Sequence, residues 1–156
     1  MRAKTAGDAL GLQPRDVLDA VLERERLGGT GVGDGVAIPH ARLRGLDRVA
    51  GLFARLDPAH DFEGPDGRPC DLVFMLLAPL DAGADHLRAL ARVSRALRRP
   101  DVREKLRAAA TDKAILALLG PGRPPVKVRL LWQPPLLHSF LLHASLLLLF
   151  AGALLM

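Results

Sequence analysis

The stretch GGTGVGDGVAIPHAR, Gly28 to Arg42, places five glycines within eight residues and then closes on Ile38, Pro39 and His40. Glycines leave backbone N–H groups unobstructed, so successive amides can converge on an oxyanion or a phosphate, and the run reads as an anion cradle around Gly31 and Gly33. Pro39 then fixes its own φ and biases Ile38 toward an extended conformation, which limits how His40 can swing. A histidine held this way offers a neutral ring nitrogen at neutral pH, since its ordinary pKa is ~6.5. Such a nitrogen can accept a phosphoryl group, a reaction in which positioning and charge stabilisation dominate. Arg24, late in the helix that precedes the glycine run, can supply the charge.

Working outward, QPRDVLDAVLERERLGG (13–29) predicts a helix with Pro14 in its first turn, Val17, Leu18, Val21 and Leu22 on one face, and Gly28 to stop it. VAIPH (36–40) reads as a short strand that delivers the histidine. RVAGLFARL (48–56) and DLVFMLLA (71–78) read as further strands, and the second is apolar from Val73 to Ala78, as a central strand covered on both faces should be. ADHLRALARVSRALRR (84–99) is helical in pattern, with Leu87, Leu90, Ala91, Ser94 and Leu97 expected inward. Arg88, Arg92, Arg95 and Arg99 form a basic stripe, expected to be a solvated face. His86 opens this helix on the side of Leu90, Val93 and Leu97. DVREKLRAAA and TDKAILALL predict two shorter helices, with Asp101 near the first cap. Strands interleaved with helices imply an α/β class, a mixed sheet sandwiched between helices. No internal repeat is present.

Composition narrows the function. Of 22 basic residues, Arg123, Lys127 and Arg129 follow Gly120 and no acidic residue does, so the first 120 residues hold 19 basic and 17 acidic groups. With no tyrosine and one tryptophan, platforms for stacking bases are scarce, and nucleic-acid binding is not expected. The lone Cys70 rules out an internal disulfide and reads as a small apolar residue at a strand start. Met1 to Asp8 lacks the apolar core of a secretion signal, so a cytoplasmic body is expected. His60 lies in a turn-like stretch and is given no role. No metal or organic cofactor is implied.

LERERLGGTGVGDGVAIPHARL (22–43), with DHLRALARVSRAL (85–97) downstream, resembles the enzyme IIA domain of the fructose/mannitol type in the phosphoenolpyruvate-dependent phosphotransferase system, most closely its nitrogen-regulatory branch. The resemblance spans Gly11 to Leu119, and GVAIPH is its most specific part. It implies that His40 accepts phosphate from a phosphohistidine carrier of the HPr type, with His86 and Arg24 orienting the ring and stabilising the phosphate oxygens. Thr30, Gly31 and Gly33 fall in the phosphate-binding part of the motif, Thr30 either shaping the loop or donating to the phosphate. Gly29 stands where the family often has serine, and Asp34 where it often has asparagine or an acidic residue. Relatives begin with a strand and most of a long helix that MRAKTAGDALGLQ does not match, so an N-terminally shortened fold is expected, with sheet surface or a strand edge at risk of exposure.

The expected organisation is an enzyme IIA-like domain at 1–120, a Pro/Gly-rich basic linker at 121–135 and an apolar tail at 136–156. The tail is long enough to cross a hydrocarbon core, which takes ~20 helical residues, and its basic flank would keep the body cytoplasmic. It reads equally as an anchor, as a helix packing on the body, or as a sequence without selected structure. Two classes of function remain. One is a phosphoryl carrier that passes phosphate to a sugar-specific IIB component, or holds it as a mark on a regulated kinase or transporter. The other is a regulatory binding module acting by protein contact alone. Without a permease domain or a IIB-like cysteine motif in the chain, regulation is favoured.

Overall fold

A computed structural model describes residues 10–119 and 126–128. Helix α1 (Pro14–Glu25) is followed by strands β1 (Gly31–Gly33), β2 (Val36–Ala37), β3 (His40–Leu43), β4 (Ala50–His60) and β5 (Cys70–Pro79). Helices α2 (Ala84–Leu97), α3 (Pro100–Ala108) and α4 (Asp112–Leu119) come next, and strand β6 (Val126–Val128) is last. The sheet runs β1-β2-β5-β4-β6, with β3 also paired to β5. β2 and β3 lie parallel to β5, β4 lies antiparallel to it, and β6 lies parallel to β4. The sheet is therefore mixed, as expected.

Strand alternation explains why helices cover both faces. On β5, Val73, Met75 and Leu77 join Val17, Leu18 and Val21 of α1 in one core. Leu72, Phe74, Leu76 and Ala78 point the other way, into a core with Ala89 and Leu97 of α2, Val102 and Leu106 of α3 and Ile115 of α4. β5 is buried along both faces, which is why its sequence shows no polar alternation.

Several boundaries differ from the sequence reading. β4 runs on to His60, beyond Leu56, where its pairing with β5 becomes irregular before His60 meets Cys70. The buried face of α2 holds His86, Ala89 and Leu97, whereas Leu87 is 61 % exposed and Ala91 is exposed. The inward face is thus the one that His86 shares with Leu90, Val93 and Leu97, as expected for the histidine, and it excludes Leu87 and Ala91, which were expected inside. The stretch read as a linker, 121–135, contains β6. The remainder of that linker, the apolar tail at 136–156 and residues 1–9 lie outside the described residues.

The glycine-rich stretch is a β-hairpin rather than an open cradle. Gly33 pairs with Val36, leaving Asp34 and Gly35 as a two-residue turn with φ of 56° and 77°. Positive φ at both positions is what the tightest hairpin turn requires, and Asp-Gly supplies it. The tip is tied to α3. Arg107 forks onto Asp71 at 2.6 and 2.7 Å and donates to the Asp34 carbonyl, while Arg103, itself buried, reaches the Asp34 carboxylate at 3.1 Å.

Candidate functional site

β2 and β3 keep one register against β5 across the interruption at Ile38–Pro39: Ala37 faces Val73 and His40 faces Leu76. Proline has no N–H for the ladder, but its carbonyl accepts from Leu76 N–H at 2.8 Å, so the strand direction survives the break. Alternation therefore continues through Pro39. Ala37, Ala41 and Leu43 turn toward α1, Val36 and Ile38 toward α2, and the even-numbered His40 belongs to the α2 side.

His40 is held at both nitrogens. Nδ1 lies 2.9 Å from the Ile38 carbonyl, and because a carbonyl only accepts, Nδ1 carries the hydrogen. Nε2 keeps its lone pair, which accepts from Arg24 Nε at 3.1 Å. Arg24 sits in the last turn of α1 and also donates to the Gly28 carbonyl at 3.0 Å. On the other side of Ile38, its N–H, part of the preceding peptide, donates to Thr30 O at 2.9 Å, so the residue that carries this carbonyl is itself tied to the glycine-rich hairpin.

His86 meets this pair from the first turn of α2. Its ring centroid lies 5.7 Å from that of His40, with the planes tilted by 48°. The side chain is 5 % exposed, and among the described residues its Nδ1 is the one buried side-chain nitrogen or oxygen without a hydrogen-bond partner. A cleft of about 370 Å³ opens here, lined by Ala20, Glu23, Arg24, Leu27, His40, Ala41, Arg42 and His86.

Electrostatics keep both rings neutral. Burial pushes the His40 pKa below its ordinary value; the Ile38 carbonyl partly offsets this and the Arg24 guanidinium adds to it. Burial likewise lowers the His86 pKa, with His40 and Arg42 pushing the same way. The cleft therefore presents an unprotonated imidazole nitrogen with a guanidinium beside it, which suits attack on an electrophile that carries anionic oxygens.

The structure thus brings together His40, His86 and Arg24. Thr30, Gly31 and Gly33 do not line the cleft. The Thr30 hydroxyl donates to the Glu25 carboxylate. Gly31 N–H donates to Phe62 O at 2.9 Å, and a Cβ on Gly31 would fall 2.6 Å from Gly64 Cα, so this glycine allows two backbones to touch. Glu25 and the Ile38 carbonyl were missed by the sequence reading. The Arg-Glu pair in the last turn, five residues before a buried threonine, was the available signal for Glu25. Among the described residues, no group of three or more His, Cys, Asp or Glu is placed to hold a metal, and no helix is long and apolar enough to cross a membrane. Arg88, Arg92 and Arg95 line a separate groove of about 980 Å³ together with Asp47, Asp81 and Asp85, a mixed-charge surface consistent with a solvated stripe.

Residues 5–120 match the family described as "Phosphoenolpyruvate-dependent sugar phosphotransferase system, EIIA 2". The chain belongs to this family. Within the enzyme IIA family, it is 54 % identical over 117 residues to a nitrogen regulatory protein of Bradyrhizobium diazoefficiens, covering 75 % of this chain and 76 % of that one. Nitrogen regulatory protein IIA-Ntr from Neisseria meningitidis superimposes with a TM-score of 0.68 at 32 % identity, over 76 % of this chain and 89 % of that one. The fold is shared more distantly with enzyme IIA of the mannitol system from Escherichia coli, solved in complex with phosphorylated enzyme IIB. That likeness has a TM-score of 0.55 at 20 % identity, over 76 % and 90 % of the two chains. The resemblance drawn from GVAIPH and the downstream helix is borne out, and with it a carrier or regulatory place in the phosphotransferase system.

Proposed function

We propose that this enzyme IIA chain accepts a phosphoryl group on His40 Nε2 from a phosphohistidine carrier of the HPr type. It then passes the group to a sugar-specific IIB component or retains it as a mark read by a regulated kinase or transporter. The observation that carries this reading is the two-sided hold on His40: Nδ1–H donates to Ile38 O at 2.9 Å and Nε2 faces Arg24 at 3.1 Å. The Nε2 lone pair forms the new N–P bond as the donor's N–P bond breaks and its electron pair returns to the donor ring. Nδ1 keeps its hydrogen throughout, so no proton has to leave His40. As the phosphoryl group arrives, the Arg24 guanidinium shifts from the nitrogen to the phosphoryl oxygens. His86, whose Nδ1 is sealed from water, has Nε2 left to donate to them. Stabilisation of developing charge by such donors is the largest protein contribution to this kind of transfer.

The nitrogen-regulatory relatives favour regulation as the outcome, in the cytoplasm, where phosphoenolpyruvate-linked donors operate. Leu27, 82 % exposed on the cleft, and Leu87, 61 % exposed beside His86, give a docking protein apolar surface next to the acceptor. The same two leucines suit the alternative, a module that regulates by contact alone. One experiment separates the readings. The full chain is incubated with phosphoenolpyruvate, enzyme I and HPr beside His40→Ala, and acid-labile label and partner binding are both followed. Label on the native chain and none on His40→Ala is expected. A folded native chain that binds its partner but takes no label would leave contact as the function.

A further inference from the structure

We propose that Thr30 is a positioning residue for phosphoryl acceptance, acting through Glu25 to hold Arg24 against His40 rather than by touching the phosphoryl group. This rests on the reading of His40 as acceptor. Arg24 and His40 belong to different elements, the last turn of α1 and the first residue of β3. Their 3.1 Å contact survives only if the end of the helix and the start of the strand keep their distance. Thr30 touches both. Its main-chain carbonyl accepts from Ile38 N–H at 2.9 Å, and Ile38 is the residue whose own carbonyl, in the next peptide, fixes the His40 ring. Its hydroxyl donates to the carboxylate of Glu25, the residue next to Arg24.

Thr30 is 5 % exposed, and a buried hydroxyl without a partner is costly, so this bond has a strong reason to persist. A hydroxyl has one hydrogen to donate. While it is given to Glu25 it is not available to a phosphoryl oxygen, which separates a brace from a phosphate ligand. The Arg24 bond to the Gly28 carbonyl and the Gly28 N–H bond to the Glu25 carbonyl also tie the helix end to the loop, but both stay within five residues and do not link the helix to the sheet.

The test uses the full chain and two readouts: the initial rate of phosphoryl uptake from phosphorylated HPr, and the titration of the His40 imidazole followed by NMR in the unphosphorylated protein. Thr30→Val is expected to slow uptake about tenfold, the factor for a lost contact of ~1.4 kcal/mol. It is also expected to move the His40 titration upward, toward an ordinary histidine, because a released Arg24 no longer opposes the proton. Thr30→Ser is expected to restore both. Should Thr30→Val fail to fold, Glu25→Ala and Glu25→Gln decide: both remove the same charge, and only alanine removes the acceptor. The expected result is slower uptake and a higher His40 titration in alanine than in glutamine. Native behaviour of Thr30→Val in both readouts overturns the proposal. Slower uptake with an unmoved His40 titration overturns it as well, since that is the signature of a direct phosphate contact. If the native chain takes up no phosphate, the acceptor reading fails, while the titration comparison still reports on the brace by itself.

Discussion

His86→Leu is expected to raise the stability of the fold while lowering its capacity to accept phosphate. The native imidazole is 5 % exposed and its Nδ1 has no hydrogen-bond partner. A buried polar atom left unsatisfied costs ~1–3 kcal/mol, and an apolar side chain of similar size removes that cost. Taking the lower half of the range, the gain is about 1–2 kcal/mol. In a chain of this size each kcal/mol moves the melting temperature by about 3–4 °C, so a rise of at least ~3 °C is expected by circular dichroism at pH 7.5.

The pH dependence gives a second handle on the same change. Burial lowers the His86 pKa from 6.5, so above that pH neither the folded nor the unfolded chain holds the proton and the titration contributes nothing. As pH falls below 6.5, the unfolded chain protonates first and the native fold loses stability. Leucine removes this loss, so the advantage of the variant should widen between pH 7.5 and pH 5.5. Phosphoryl uptake should meanwhile fall about a hundredfold, the scale for losing one donor to developing charge. A variant that melts at or below the native temperature at both pH values would refute the argument from the orphaned nitrogen. Native uptake would refute contact between His86 and the phosphoryl group.

Because burial, reinforced by Arg24, holds the His40 pKa below 6.5, uptake at pH 6.5 should exceed half of its plateau and reach half only at lower pH. A single-turnover rate profile already halved at pH 6.5 would contradict the lowered value. Gly31→Ala places a Cβ 2.6 Å from Gly64 Cα and 2.7 Å from its nitrogen, and neither atom is the end of a flexible side chain. Overpacking of this kind should cost about 1–3 kcal/mol in denaturant unfolding, and an unchanged midpoint would show that the 62–64 segment yields freely.

Much of this was legible in the sequence because the signals were local. β5 declared itself as an uninterrupted apolar run, Pro14 marked a helix start where it was expected, and the proline before His40 announced a constrained ring. The features that the sequence did not show needed partners distant in sequence. Five glycines suggested a phosphate cradle, but Gly31 answers to Gly64 and Phe62, some thirty residues away, and Asp34-Gly35 closes a hairpin whose tip answers to Arg103 and Arg107. Leu87 was expected inside because leucine usually is. The inward face instead runs through His86, Ala89, Leu90, Val93 and Leu97, which leaves Leu87 outside it. Glu25 was overlooked because the Arg-Glu pair gives only a faint local sign of it, and its meaning depends on a hydroxyl that only the fold brings to it.

The short strand β6 pairs with Gly51, Leu52 and Phe53 along the outer edge of β4. A version of the chain stopped at residue 120 would present those three residues with unpaired N–H and C=O groups, flanked by the buried side chains of Leu52 and Phe53. Exposed strand edges of this kind recruit other strands. The point at which the chain is cut would then set its state of association, with shortened molecules joining edge to edge as their concentration rises and the longer chain blocking its own polymerisation.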